Sequence, residues 1–405
     1  MQVQLPRASR SALAFIFIVA LLDILGLSLL IPVTPYIVRE FRSDALTVAL
    51  LTVVYSVAQF IAAPLLGRLS DRLGRRPVLL VCILGSSVGY LLFGVGGALW
   101  ILFLSRVIDG ITGGNISVAS AYIADVTPPE KRAQNFAMLG AAFGLGFILG
   151  PALSGVLLPF GYAASAYAAG ALSLLSALVG FFILPESLPR AQRNLAPFQL
   201  ADANPFGATF ELLRRPILGG LLTAGLVFNF AFAAFVSNIV VFLIGRFNAD
   251  AGTVALSLVV AGVVRVVMFP FVGKFVALFG EKRLAIAGLL LQAATLAGFA
   301  FATEVWMIYP LTVFNGIGAS LVFATVGAMA SNQLPVNEQG KLAGVNTALM
   351  GVGNIIGPLW AGIAYDSIAP VAPYISAALF LVMAAAIILQ AQVKRSQLSA
   401  APAAE

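Results

Sequence analysis

The chain has 405 residues, 60% hydrophobic and 10% charged, with a formal net charge of +7 and a mean hydropathy of +1.02. Soluble domains carry about a quarter charged residues, so this composition excludes a water-solvated globule and makes lipid the solvent. There is no histidine and the single cysteine is Cys82, which excludes imidazole metal sites, histidine proton relays and an intrachain disulfide.

A helix crosses the hydrocarbon core with about 20 mainly apolar residues. Twelve runs of that kind are read along the chain, at 11–38, 46–66, 78–98, 100–124, 133–158, 161–184, 216–244, 253–275, 283–303, 305–331, 340–365 and 370–392. They are continuous, unlike the ten-residue alternating segments of a β-barrel. The expected fold class is therefore all-α integral membrane with twelve transmembrane helices. The first run contains Asp23 and ends in a Pro-rich stretch, so it reads as a span and not as a cleaved signal. With the N-terminus in the cytoplasm, 18 of the 23 basic residues fall on that side; Arg39, Arg42 and Arg246 fall outside, and Arg106 and Arg265 fall within spans. This positive-inside bias predicts a multi-pass plasma-membrane protein with both termini cytoplasmic. It also accounts for the basic charge through topology and anionic lipid head groups, with no nucleic-acid partner.

The longest connection, 185–215, is polar and Pro-rich, and the chain repeats across it. GRLSDRLGRRP at 67 is echoed by GKFVALFGEKR at 273, an offset of 206. DGITG at 109 is echoed by NGIGA at 315. Gly146, Gly150, Pro151 and Gly155 return as Gly353, Gly357, Pro358 and Gly362, an offset of 207. The expected organisation is an N-terminal six-helix bundle over 1–184, a cytoplasmic linker over 185–215 and a C-terminal six-helix bundle over 216–405. A binding site would lie near the midplane between the two pseudo-symmetric halves.

Residues 67–77 read as a short cytoplasmic turn, with Gly67 closing one helix and Pro77 opening the next. Four basic side chains there serve topology, but Asp71 works against the positive-inside charge, and Gly74 offers a backbone conformation other residues avoid. Four charges lie inside spans, Asp23, Arg106, Asp109 and Arg265, and such charges are functional candidates by default. Asp23 is the candidate for a coupling proton. Arg106 and Asp109, three residues apart, share a helix face; a static pair and a proton-carrying Asp109 both stay open. Arg265 has no in-span acidic partner, and three roles stay open for it: attracting an anionic substrate group, reaching Asp23 or Asp109, or snorkelling to an interface. Gly146, Gly150 and Gly155 permit close helix contact at the interface of the halves, and Pro151 kinks the span. Gln59, Asn115, Asn229, Asn238, Gln292, Asn315 and Asn346 are candidates to line a substrate cavity, with Arg265, or to bond between helices, and phenylalanines around 228–235 offer stacking surfaces.

The stretch GRLSDRLGRRP between the second and third spans resembles the signature loop of the major facilitator superfamily. LLDILGLSLLIPVTPYIVREF in span one, SRVIDGITGG in span four and GLGFILGPALSG in span five are similar to the twelve-helix drug/proton antiporters, and among these to the tetracycline/proton antiporter group. The resemblance covers essentially the whole chain. It implies a proton-coupled antiporter that exports amphipathic organic compounds or drugs by alternating access, without a cofactor and as a monomer. It implies proton handling by Asp23 and Arg106. It implies a conformational latch of Gly67, Asp71, Arg72, Gly74, Arg75 and Arg76, with Asp71 engaging the start of span eleven. The antiporter glycine-proline motif would be Gly146, Gly150, Pro151 and Gly155, and Gln59 matches a span-two glutamine. The chain departs from the tetracycline group at Gly89 and Gln292, where acids are expected, and near Val264, where a histidine is expected. Two other readings are a proton-coupled transporter of one metabolite such as a sugar, and a membrane receptor or enzyme. No Walker loop, metal-ligand cluster or nucleophile motif supports an enzyme, and no sizeable soluble domain supports a receptor.

Overall fold

The structure, a computed structural model, describes residues 10–127, 129–193, 206–335 and 338–391. The described residues fold as helices and connections without a strand. In the first part of the chain these are α1 (Arg10–Leu30), α2 (Thr34–Val38), α3 (Ala45–Leu73), α4 (Arg75–Val95), α5 (Leu99–Thr112), α6 (Asn115–Val126), α7 (Pro129–Leu157) and α8 (Ala163–Ile183). After them come α9 (Phe206–Leu213), α10 (Pro216–Phe247), α11 (Ala251–Phe279), α12 (Glu281–Phe301), α13 (Ile308–Ser331), α14 (Gln339–Ser367) and α15 (Ala372–Gln390). Among the described residues, ten helical stretches are long and apolar enough to cross a membrane. Shorter apolar stretches occupy Ala14–Leu30 of α1 and Gly144–Phe160 at the end of α7. The protein is thus an all-α, multi-spanning membrane fold. The difference from the expected twelve spans lies in the first and fifth runs, where parts of α1 and α7 fall outside the described side chains.

The chain divides into two compact units, one of residues 1–43, 51–203 and 250–259, the other of 44–50, 204–249 and 260–405. In the first, α7 and α8 pack on α1, and α5 and α8 pack on α4. In the second, α14 and α15 pack on α10, and α13 and α15 pack on α12. The same four pairings therefore recur at corresponding places. The first unit buries Phe15, Ile16, Leu79, Cys82, Tyr122 and Ile123 in one cluster. The second joins Phe235, Phe242, Phe299 and Tyr374 through ring contacts with centroids 4.5–6.3 Å apart.

Local chemistry repeats as well. Interior prolines sit at Pro64 in α3 and Pro270 in α11, 206 residues apart, and at Pro151 in α7 and Pro358 in α14. The Asp44 carboxylate accepts the Thr47 backbone N–H at 2.8 Å, and the Asp250 carboxylate accepts that of Thr253 at 2.8 Å. Both sit at a helix start, where a carboxylate offsets the unpaired N–H groups. The hydrogen bonds from Thr253 hold the Asp250 carboxyl below its usual range.

Residues 67–77 form less of a turn than expected. Helix α3 continues to Leu73 and α4 begins at Arg75, so Gly67 lies inside α3 and does not close it. The chain breaks at Gly74 alone, with φ at +108°. Its counterpart Gly280, ahead of α12, has φ at +80°. L side chains avoid that region, which explains why glycine stands at both places.

Candidate functional site

The fourth run is one continuous span in the sequence and two helices in the structure. α5 stops at Thr112 and α6 starts at Asn115, with Gly113 and Gly114 forming the joint. The joint is satisfied locally: the Gln59 amide donates to the Gly113 carbonyl at 2.9 Å, and the Ser117 hydroxyl donates to the Gly114 carbonyl at 2.7 Å. Gln59 also donates to the Tyr55 hydroxyl at 3.0 Å. Backbone groups freed inside a membrane must find such partners. The bend places Asn115 at the start of α6, where its amide donates to the Asp23 carboxylate of α1 at 2.9 Å.

One turn before the joint, α5 carries the second pair. Arg106 Nη1 lies 3.2 Å from Asp109 Oδ2, and the two side chains are 7% and 2% exposed. The guanidinium carbon sits 4.7 Å from the Phe93 ring centroid and 5.7 Å from that of Tyr90, both on α4. The Arg106 Nε and Nη2 atoms have no hydrogen-bond partner. Charge and aromatic faces stabilise this guanidinium more than hydrogen bonds do. Gly89 of α4 faces the pair: a Cβ there would lie 3.0 Å from the Asp109 Cβ and 3.1 Å from the Ser105 carbonyl. The position where the resemblance expects an acid is therefore in contact with the acid this chain carries on α5. Gly26 of α1 gives room to the Tyr90 ring, which would lie 2.8 Å from an added Cβ. Asp23, Gln59, Arg106, Asp109 and Asn115 thus belong to one polar neighbourhood in the first unit.

The residues expected to form a latch build a second network. Arg75, 8% exposed in its side chain, pairs with Asp71 at 2.6 Å and Asp125 at 3.0 Å. Its guanidinium also donates to the Ser70 hydroxyl at 2.6 Å, and its backbone N–H donates to Glu186 at 2.8 Å. Ser187 donates to the same Asp125 oxygen at 3.0 Å, and Arg76 donates to the Phe181 carbonyl. Arg75 is thus the hub, bonded to Asp71 one turn earlier. Asp125, Glu186 and Ser187 did not stand out in the sequence, since they lie in connections far from residue 75.

Gly146 and Gly150 bring α7 onto α1. A Cβ on Gly146 would lie 2.6 Å from Ile24, and the Ser28 hydroxyl donates to the Gly146 carbonyl at 2.7 Å. Gly353 and Gly357 do the same for α14 on α10, beside Asn229 and Phe230. These four glycines let helices of the same unit pack closely. Gly155 and Gly362 instead meet Ala255 and the Leu46–Ala49 turn.

In the second unit, Gln292 and Asn315, each 3% exposed, border one narrow crevice with Phe232 and Phe235. Asn238 is buried with its Oδ1 unpartnered. Asn229 donates to the Gly225 carbonyl of its own helix at 2.9 Å, and Asn346 is exposed. Arg265 lies over Phe232, 4.8 Å from the ring centroid. No group of three or more histidine, cysteine or carboxylate side chains suited to a metal occurs among the described residues.

A profile of the Major Facilitator Superfamily matches residues 16–277 and 239–404. The chain is 36% identical over 355 residues to the class C tetracycline resistance protein of Escherichia coli, covering 87% of this chain and 89% of that one. It is 30% identical over 364 residues to multidrug resistance protein 2 of Bacillus subtilis (strain 168), covering 87% and 89%. Its fold is similar to the crystal structure of the nucleoside transporter NupG, with a TM-score of 0.77, 13% identity and coverage of 94% of this chain and 100% of that one. The long apolar helices, the 67–77 network and these matches agree: the chain belongs to the Major Facilitator Superfamily of membrane transporters and is kin to the bacterial tetracycline- and multidrug-resistance proteins.

Proposed function

We propose that the chain is a proton-coupled antiporter that exports amphipathic organic compounds or drugs by alternating access. In this reading it has twelve spans in two six-helix bundles, 1–184 and 216–405, joined by the cytoplasmic linker 185–215, and it works as a monomer in the plasma membrane. The observation that carries the reading is the setting of Asp23. This carboxylate lies within an apolar helix and is held by the neutral Asn115 amide at 2.9 Å. A neutral amide can bond either protonation state, so Asp23 is free to load and release a proton. Asp109 differs, because the cationic Arg106 stands against it at 3.2 Å, so each partner offsets the cost of burying the other. Asp23 is then the proton carrier, while Asp109 keeps Arg106 neutralised beside it. With no ATP-binding motif in the sequence, the drive is an ion gradient or the substrate's own, and Asp23 favours protons. The names of the relatives, tetracycline and multidrug resistance proteins, support a drug-like cargo. The departures at Gly89, Val264 and Gln292 favour a cargo set that differs from that of the tetracycline group. Gly67, Asp71, Arg72, Gly74, Arg75 and Arg76 act as the conformational latch, with the Asp71–Arg75 pair as the contact that opens and closes.

The test is drug-triggered proton release in inside-out vesicles, read with a pH-gradient dye, against tetracyclines, lipophilic cationic dyes, fluoroquinolones and sugars. Recovery of fluorescence with a drug class, lost in Asp23→Asn, is the expected result. Recovery that persists in Asp23→Asn defeats the assignment of the proton carrier. A response to sugars alone makes the protein a metabolite transporter.

A further inference from the structure

Arg265 is a charge that the antiport reading leaves unused. It lies 14 residues from each end of the 29-residue α11, roughly 21 Å along the axis at 1.5 Å per residue. That is several times the reach of its side chain, so it does not snorkel out of the span. Its Nε is buried without a hydrogen-bond partner, and it forms no ion pair among the described residues. The acids of the second unit, such as Glu281, Glu338 and Asp366, stand at helix ends or in connections. A lone cation at this depth is costly, and a chain keeps one where something neutralises it during function.

What surrounds Arg265 is aromatic. Its guanidinium lies 4.8 Å from the Phe232 centroid. Phe232 meets Phe323 edge-on at 5.6 Å and lies 6.1 Å from Phe228, which in turn meets Phe323 at 4.8 Å. Phe323 is 51% exposed, so this platform keeps an open face. Gln292 and Asn315 adjoin it through the crevice they share with Phe232. A guanidinium fork binds a carboxylate through two parallel hydrogen bonds, and the rings beside it stack on an aromatic ligand.

We propose that Arg265, Phe232 and Phe323 form a subsite for an aromatic organic acid, with the carboxylate on Arg265 and the adjoining ring on the phenylalanines. The inference rests on the reading that the protein exports organic compounds, and it names their class: amphipathic aromatic acids, including zwitterions. A matched pair of probes tests it, norfloxacin and its ethyl ester, which share the ring system and differ in the carboxylate. Binding is measured by equilibrium dialysis on the purified full chain in lipid nanodiscs. The wild type should bind the acid more tightly than the ester. Arg265→Gln should weaken binding of the acid at least about tenfold, the loss of one charge-assisted contact, and leave the ester unchanged. Arg265→Lys, which keeps the charge and loses the fork, should fall between. Phe232→Leu should weaken both probes. Equal weakening of acid and ester by Arg265→Gln overturns the proposal, since a structural arginine or an internal partnership with Asp23 or Asp109 acts on both alike. No effect of Arg265→Gln overturns it too, as does a wild type that binds neither probe. In that last case proton release with a cationic dye in vesicles still upholds antiport, so the two failures are separable.

Discussion

At the scale of single residues, the buried Arg106–Asp109 pair carries a cost that only both partners together offset. Removing one leaves the other charge alone in an apolar setting. Asp109→Asn is expected to destabilise the protein by about 3–5 kcal/mol, seen as a drop in the thermal unfolding temperature in detergent. Adding Arg106→Gln to that variant should restore much of the loss, because it removes the stranded charge. Asp23, Arg106, Asp109 and Arg265 were legible in the sequence for one reason: a charge inside an apolar run has few neutral explanations. Their partners were less legible. Asn115 and Gln59 stood among seven uncharged polar candidates, and nothing local marked them as the two that meet Asp23 and the Gly113 carbonyl. Phe93 and Tyr90, which face Arg106, read as ordinary apolar residues of the third run. Long-range pairing depends on how helices dock, and periodicity in one helix carries no record of it.

At the scale of elements, the 67–77 stretch is two helix ends around one glycine. Arg75 is held by Asp71, Asp125 and Ser70 together, so loss of Asp71 leaves two of these contacts. Asp71 is 41% exposed, and exposed pairs contribute at most about 1 kcal/mol. Asp71→Asn should therefore change the unfolding temperature little, slow turnover in the vesicle assay, and leave drug binding intact. Unchanged turnover would end the latch reading. The sequence pattern placed the end of α3 near Leu66, where the apolar run stops. The helix runs on through Gly67 to Leu73, since Arg, Leu, Ser and Asp side chains do not break a helix, and it ends at Gly74, where φ turns positive. The opposite error occurred at Gly113–Gly114. Apolar continuity hid a joint that two adjacent glycines and three side-chain hydrogen bonds create.

At the scale of the whole molecule, the internal repeat was the most legible feature, since three motifs recur at offsets of 206–207. The structure adds Asp44 with Asp250, Pro64 with Pro270, and Gly74 with Gly280, all 206 apart. What the repeat did not reveal is that residues 44–50 and 250–259, the starts of α3 and α11, each pack with the unit opposite to the rest of their own helix. The proposed orientation in the membrane rests on charge alone. Reporter fusions after Gln390 should give a fluorescent green protein and an inactive alkaline phosphatase, since 18 of 23 basic residues favour a cytoplasmic face. An active phosphatase there would reverse the topology.

The packing of Cys82 has a practical consequence. Its thiol is 1% exposed, enclosed with Leu79, Tyr122 and Ile123 in the core of the first unit. Aqueous maleimides should therefore leave it unlabelled in the folded protein. The native chain is therefore a silent background for cysteine scanning, with no residue to remove beforehand. A thiol introduced at Phe323 or beside Gln59 would be the sole reactive group, and its labelling from either side of the membrane would report whether that position is open to water.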